Sequence, residues 1–168
     1  MERITEFPAL CGHLHGVEEA RVIAIEGFTG SGKSHLADSL AEELGFSVIH
    51  TDEFIFGDDE SLPYAKRLDY KRLRATLDEN GKREATTLFD GICARESLRN
   101  LGVNADHFIY VKRIGQNGLW YDGLHLEDFE GNQAISENNE EPHLSDFKYH
   151  VAARPHEHAD VVFERVES

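Results

Sequence analysis

A lysine and a serine close the stretch Gly27-Phe28-Thr29-Gly30-Ser31-Gly32-Lys33-Ser34, which fits G-x-x-x-x-G-K-[ST]. Its chemistry is anion binding. Glycines let the backbone turn tightly and approach an anion with no Cβ in the way. The freed N–H groups converge on phosphates, and a following helix adds the positive end of its dipole. Lys33 is then placed to reach the β- and γ-phosphates, and the Ser34 hydroxyl to ligate Mg²⁺. The expected nucleotide-binding set is Gly27, Phe28, Thr29, Gly30, Ser31, Gly32, Lys33, Ser34 and the adjoining His35.

Phosphoryl transfer also needs a second group on the metal, a group to orient the attacking hydroxyl, and positive charge near the γ-phosphate. Ligands of open α/β sheets lie beyond the carboxyl ends of the strands. Three acidic residues fall at expected strand ends: Glu26, Asp52 and Asp90. Asp90 follows the apolar run Thr87-Leu88-Phe89 and is the candidate second Mg²⁺ group, acting through a coordinated water. Asp52 is the candidate general base, or simply the group that orients an acceptor hydroxyl. Glu26 reads as a structural neighbour of the loop. Arg113 opens a glycine-rich stretch and is the candidate for offsetting transition-state charge, with a solvated strand end shared with Lys112 as the alternative. Tyr64, Trp120 and Tyr121 read mainly as packing residues, with stacking on a base as the alternative. Lys66, Arg67, Lys71, Arg72 and Arg74 read as a solvated helix face, with Arg67 the best placed to meet an anionic substrate.

These side chains need a frame. The apolar run Val22-Ile23-Ala24-Ile25 predicts a buried strand before the glycine loop. The spacing of Leu36, Ala37, Leu40, Ala41 and Leu44 predicts a helix after it, ending at Gly45. Further strands are expected at 47–51, 86–89, 107–111 and 159–164, with helices at 64–80, 93–101 and 144–153. Strand–helix alternation predicts an α/β fold, a parallel sheet covered by helices on both faces in three layers. Residues 1–20, broken by Pro8, Gly12 and Gly16, are expected to form a mixed leader, with His13 and His15 on a surface loop. Residues 113–140 are expected to form a lid or loop carrying one short helix. His156-Glu157-His158 is expected to lead into the last strand. The whole chain, 1–168, reads as one domain with its core at about 21–166.

Composition narrows the function. Seventeen Lys and Arg stand against 32 Asp and Glu, a formal charge of −15. Such a field repels nucleic-acid phosphates, so no nucleic-acid partner is expected. No apolar run approaches a membrane span, so no membrane partner is expected either. Cys11 and Cys93 lie far apart and read as reduced thiols. The opening residues, with Glu2, Arg3 and Glu6, do not resemble a secretory signal. A cytoplasmic protein is expected.

Taken together, these residues resemble the uridine kinase-like group of P-loop small-molecule kinases. The resemblance is carried by Ile25-Glu26-Gly27 through Ser34, by Ile49-His50-Thr51-Asp52-Glu53-Phe54 with its D-x-F segment, by Leu88-Phe89-Asp90-Gly91, and by Ala159-Asp160-Val161-Val162. It implies ATP as phosphate donor, Mg²⁺, and a small-molecule hydroxyl acceptor oriented by Asp52, a nucleoside being one candidate. Two features depart from the group. Its lid usually carries several arginines, whereas Ile114-Gly115-Gln116-Asn117-Gly118 follows Arg113 here and the next arginine is Arg154. Phosphate clamping by the lid is then either weak or taken over by Lys112. The chain is also short for a nucleoside kinase. A rival reading is therefore a nucleotide-binding regulatory module that hydrolyses slowly and uses no small acceptor. No N-K-x-D segment for reading guanine is present.

Overall fold

The computed structural model describes residues 1–17, 19–131 and 140–166. Among them, six strands form one sheet: β1 (Glu2–Ile4), β2 (Val22–Glu26), β3 (Ser47–His50), β4 (Thr87–Asp90), β5 (His107–Ile114) and β6 (Val161–Val166). Their order is β1-β6-β5-β2-β4-β3, and every pairing is parallel. The described helices are α1 (Phe7–His15), α2 (Lys33–Leu44), α3 (Tyr70–Lys82), α4 (Ala94–Leu101), α5 (Gly123–Gly131) and α6 (His143–Ala153). None is long and apolar enough to cross a membrane.

All five residues of β2 are buried, as a strand covered on both faces requires. One apolar cluster joins Leu10 and Leu14 of α1 and Leu36 and Leu40 of α2 to Ile23, Ile25, Val111 and Phe163. The opposite cluster joins Leu73 of α3, Leu98 of α4 and Tyr149 of α6 to Val22, Ala24 and Phe89. The expected α/β sheet with helices on both faces is therefore what the chain forms. Because β2 lies between β4 and β5, the chain leaves it in one direction and later returns on the other. The loop after β2 thus opens into the crevice where ligands of open α/β sheets bind.

The amino-terminal stretch corrects the expectation of a mixed leader. β1 adds an edge strand to β6, with Glu2 paired to Val161 and Ile4 to Phe163. α1 starts with Pro8 in its first turn, where a proline lacks nothing the helix needs. His13 and His15 lie on this helix and not on a loop, and His13 Nε2 is 3.1 Å from His107 Nε2. The expected helix at 64–80 is also divided. A short 3-10 turn covers Tyr64–Lys66, and α3 begins only after Asp69, whose carboxylate accepts the Arg72 amide at 3.0 Å. β5 runs on to Ile114 because β6 pairs with it as far as Val166, so Arg113 lies inside the strand and not after it. Within the expected lid, α5 is described, and residues 132–139 fall outside the described residues.

Candidate functional site

The loop between β2 and α2 is built on close approaches. A Cβ on Gly27, whose φ is +155°, would meet Ser31 Oγ at 2.6 Å and the Val111 carbonyl at 2.8 Å. Gly30 and Gly32 take left-handed φ values of +79° and +91°, conformations that favour glycine. Ser31 N–H donates to Phe28 O at 3.0 Å and closes the turn. α2 then begins at Lys33 with no side chain capping its amino terminus and no acidic residue in its first turn. Its opening N–H groups are thus left for an anion. Lys33 is buried, and its Nζ donates to Phe28 O at 3.3 Å, curled onto the loop. Ser34 and His35 are exposed at the helix start.

Beside the loop, His50 at the end of β3 pairs in register with Asp90 at the end of β4. Its Nδ1 lies 2.7 Å from Asp90 Oδ2, and its Nε2 lies 3.0 Å from Asp38 Oδ1 on α2. The bond to Asp90, then that to Asp38, pushes the imidazole pKa up to about 9 against some burial. Asp90 Oδ1 is buried and has no hydrogen-bond partner among the described residues. An unpartnered buried carboxylate oxygen on the strand beside the loop suits a hard cation or its water. Mg²⁺ usually takes one or two protein oxygens together with phosphates and water, so Asp90 and Ser34 fit it.

Asp52 stands exposed in a 3-10 turn, Thr51–Phe54, directly after β3. The buried Tyr64 hydroxyl donates to Asp52 Oδ1 and lies 2.6 Å from Thr51 Oγ1. Burial, and then the Asp52 charge, raise the Tyr64 pKa, so the hydroxyl stays a donor. Tyr64 is thus more than packing, since it fixes one carboxylate oxygen of the exposed Asp52. A Cβ on Gly91 would overlap Thr51 Oγ1, so Gly91 is what lets this group close. Tyr64 N–H also donates to Ser145 Oγ at 3.0 Å. On the far side of that bond lies a cleft of about 390 Å³, lined by Cys93, Glu96, Arg99, Ser145, Lys148 and Tyr149. The basic helix face does other work: Arg72 lies over the Phe54 ring at 4.9 Å, and Arg74 donates to the Leu101 carbonyl.

Strand alternation separates the two basic residues of β5. Lys112 turns to the α6 side, its Nζ 4.5 Å from the centre of the Trp120 ring, and so does not substitute at the loop. Arg113 turns to the α2 side. Its guanidinium lies 3.6 Å from the Tyr121 ring centre and 3.4 Å from Asp122 Oδ1, and a Cβ on Gly30 would come 4.0 Å from its Nη1.

Sequence reasoning missed three participants, the first of which is the partner of Glu26, itself expected beside the loop. Glu26 is fully buried, salt-bridged to Arg95 Nε at 2.9 Å and hydrogen-bonded by the Tyr149 hydroxyl. Burial raises its pKa, partly offset by Arg95. Arg95 has no signature in the chain except its place on α4. Asp146 of α6 accepts from Thr29 N–H at 2.8 Å and Thr29 Oγ1 at 3.0 Å. One turn on, His150 stacks on Phe28 at 3.6 Å, and its Nε2 is 2.9 Å from the Tyr110 hydroxyl. The i, i+4 spacing of Asp146 and His150 was the available signal. The third participant is Arg165, in β6.

Residues 22–106 match the family described as AAA domain, half of the chain. No curated protein matches the sequence. A solved structure of a possible uridine kinase from Bacillus stearothermophilus superposes with a TM-score of 0.54 at 19% identity, covering 94% of this chain and 96% of that one. A putative kinase from Chloroflexus aurantiacus gives 0.46 at 16% identity, covering 86% of each chain. A shikimate kinase from Bacteroides thetaiotaomicron gives 0.38 at 14% identity, again covering 86% of each. The matched span holds β2, the glycine loop, α2, Asp52 and Asp90; the chain belongs to the AAA domain family and shares its fold with the structure of the possible uridine kinase.

Proposed function

We propose that the protein is an ATP-dependent phosphotransferase that moves the γ-phosphate to a hydroxyl of a small metabolite. The observation that carries this reading is the uncapped start of α2. It is entered by left-handed glycines and Lys33, with Asp52 on the next strand end held by Tyr64. The described residues act as one kinase-like domain, with the stretch after β5, residues 115–131, as its lid.

The loop amides from Gly30 to Ser34 and the Lys33 ammonium bind the phosphates. For this Lys33 exchanges its bond to Phe28 O for phosphate oxygens. Ser34 and Asp90 would hold Mg²⁺, which supplies charge neutralisation along the phosphates when bound. His50, bonded to Asp90 Oδ2, keeps Oδ1 turned to that side. Asp52 orients the acceptor hydroxyl and accepts its proton through the oxygen not bonded by Tyr64. Arg113 offsets charge developing on the transferred group.

A screen of nucleosides, sugars and vitamins for acceptor-dependent ADP release tests this reading. Lys33→Ala abolishes transfer. Asp52→Asn binds ATP as the wild type does, with turnover lowered about 100-fold or more. Equal loss of ATP binding in Asp52→Asn removes Asp52 from the acceptor role. One observation favours the regulatory reading: Asp146 takes the Thr29 amide, so a loop donor is withheld from phosphate. ADP release at a basal rate with every acceptor decides for that reading.

A further inference from the structure

Arg165 lies on β6 in register with Arg113 on β5. Register partners of a parallel sheet project from the same face. Two residues earlier on each strand, Val111 and Phe163 pack into the α1–α2 cluster, which fixes that face as the one the glycine loop enters. Arg165 Nη1 donates to Ser31 O at 3.3 Å. A Cβ on Gly32 would fall 2.5 Å from the same Nη1 and 3.2 Å from Arg165 Cδ. The guanidinium therefore rests on the last turn of the loop, where α2 begins. Arg113 stands over Gly30 from the neighbouring strand. The loop residues 30–32 are thus flanked by two guanidinium groups.

We propose that Arg165 is a phosphate-contacting residue, gripping the nucleotide together with Arg113. The inference rests on the nucleotide-binding reading above. A guanidinium presents five N–H donors in a planar fork suited to two phosphate oxygens. Arg165 spends one on Ser31 O, its one hydrogen bond among the described residues. The molecule carries a formal charge of −15, so a nucleotide di- or triphosphate needs local cations beyond Lys33. The arginine that joins Arg113 beside the loop comes from β6. Arg165 is exposed, and its bond to Ser31 O is made by the end of a flexible side chain.

Calorimetric titration of the full chain with ADP tests this, beside thermal melting of the protein without nucleotide. Arg165→Ala weakens ADP binding by about tenfold or more, as loss of a charged hydrogen bond predicts. Arg165→Lys recovers part of it, and both variants melt as the wild type does. Wild-type ADP affinity in Arg165→Ala, beside a weakened Lys33→Ala variant, overturns the inference and leaves the nucleotide reading standing. Weakened ADP binding accompanied by an equally lowered melting temperature also overturns it, since Arg165 is then only a brace on Ser31. A wild-type chain that binds no ADP overturns both.

Discussion

Among the loop glycines, Gly27 alone would set a Cβ against backbone. A methyl there meets the Val111 carbonyl at 2.8 Å, and that oxygen belongs to β5 and cannot swing away. Gly32 is different, since its methyl would meet only the end of Arg165, and the cost lies in its φ of +91°. Gly27→Ala is therefore expected to cost about 1–3 kcal/mol of stability and to abolish nucleotide binding, because the loop must shift to admit the methyl. Urea unfolding and ADP titration check the two effects separately. A variant that unfolds and binds like the wild type would show that the loop is not held against β5. The glycines, Lys33 and Ser34 were legible because a phosphate nest imposes both residue type and spacing. Arg165 was not legible, because nothing local marks it. Its meaning comes from register with Arg113 across two strands 52 positions apart, and register is a property of the sheet. The helper residues of Asp52 and Asp90 were illegible for a similar reason: Tyr64 and His50 act through contacts that the sequence does not announce.

Three elements meet at Glu26. This carboxylate ends β2, Arg95 comes from the first turn of α4, and the Tyr149 hydroxyl comes from α6. Arg95 also reaches His158 O at 2.9 Å and lies over the Phe108 ring at 3.7 Å. A buried carboxylate needs such partners, and removing one leaves its charge uncompensated. Arg95→Met is accordingly expected to destabilise by about 3 kcal/mol. Part of that loss returns in the double variant with Glu26→Gln, which removes the stranded charge. Denaturant melts of both variants at pH 7 measure it, and equal losses in the single and double variants would show that packing, not charge, accounts for Arg95. Periodicity revealed β2, β4, α2 and α4 well, since each carries a clear apolar run or face. It failed at the amino terminus. β1 has three residues, two of them polar and exposed, and is a strand only because the edge of β6 is there to pair with. α1 was hidden by Pro8 and Gly12, although a proline in a first turn is compatible with a helix. Tertiary pairing, not propensity, made both elements.

Over the whole molecule, charge and buried histidine pull stability in opposite directions as pH falls. The formal −15 makes the folded chain repel itself, and protonating histidines as pH falls removes part of that imbalance. His156 opposes the trend. It sits 5.0 Å from the Trp120 ring, near Tyr110 and His150, with Glu157, Lys112 and Arg154 as the charged groups around it. Burial, and then His150, hold its pKa down at about 4, below the usual 6.5. The unfolded chain therefore takes up a proton near pH 6.5 that the folded chain refuses until about pH 4. Stability contributed by neutral His156 is complete above pH 6.5 and is lost as pH falls toward 4. His156→Phe keeps the ring and removes this uptake, so the wild type is expected to lose more stability than the variant between pH 6.5 and 4. Salt separates the two effects. Raising ionic strength at pH 7.5 should stabilise both proteins alike, because surface repulsion is screened. The difference between them at pH 5 should survive the salt, because it arises from burial. Thermal melts of the pair across pH, at low and high salt, make the comparison. A wild-type acid limb that parallels the variant's would show that His156 charges freely in the folded protein.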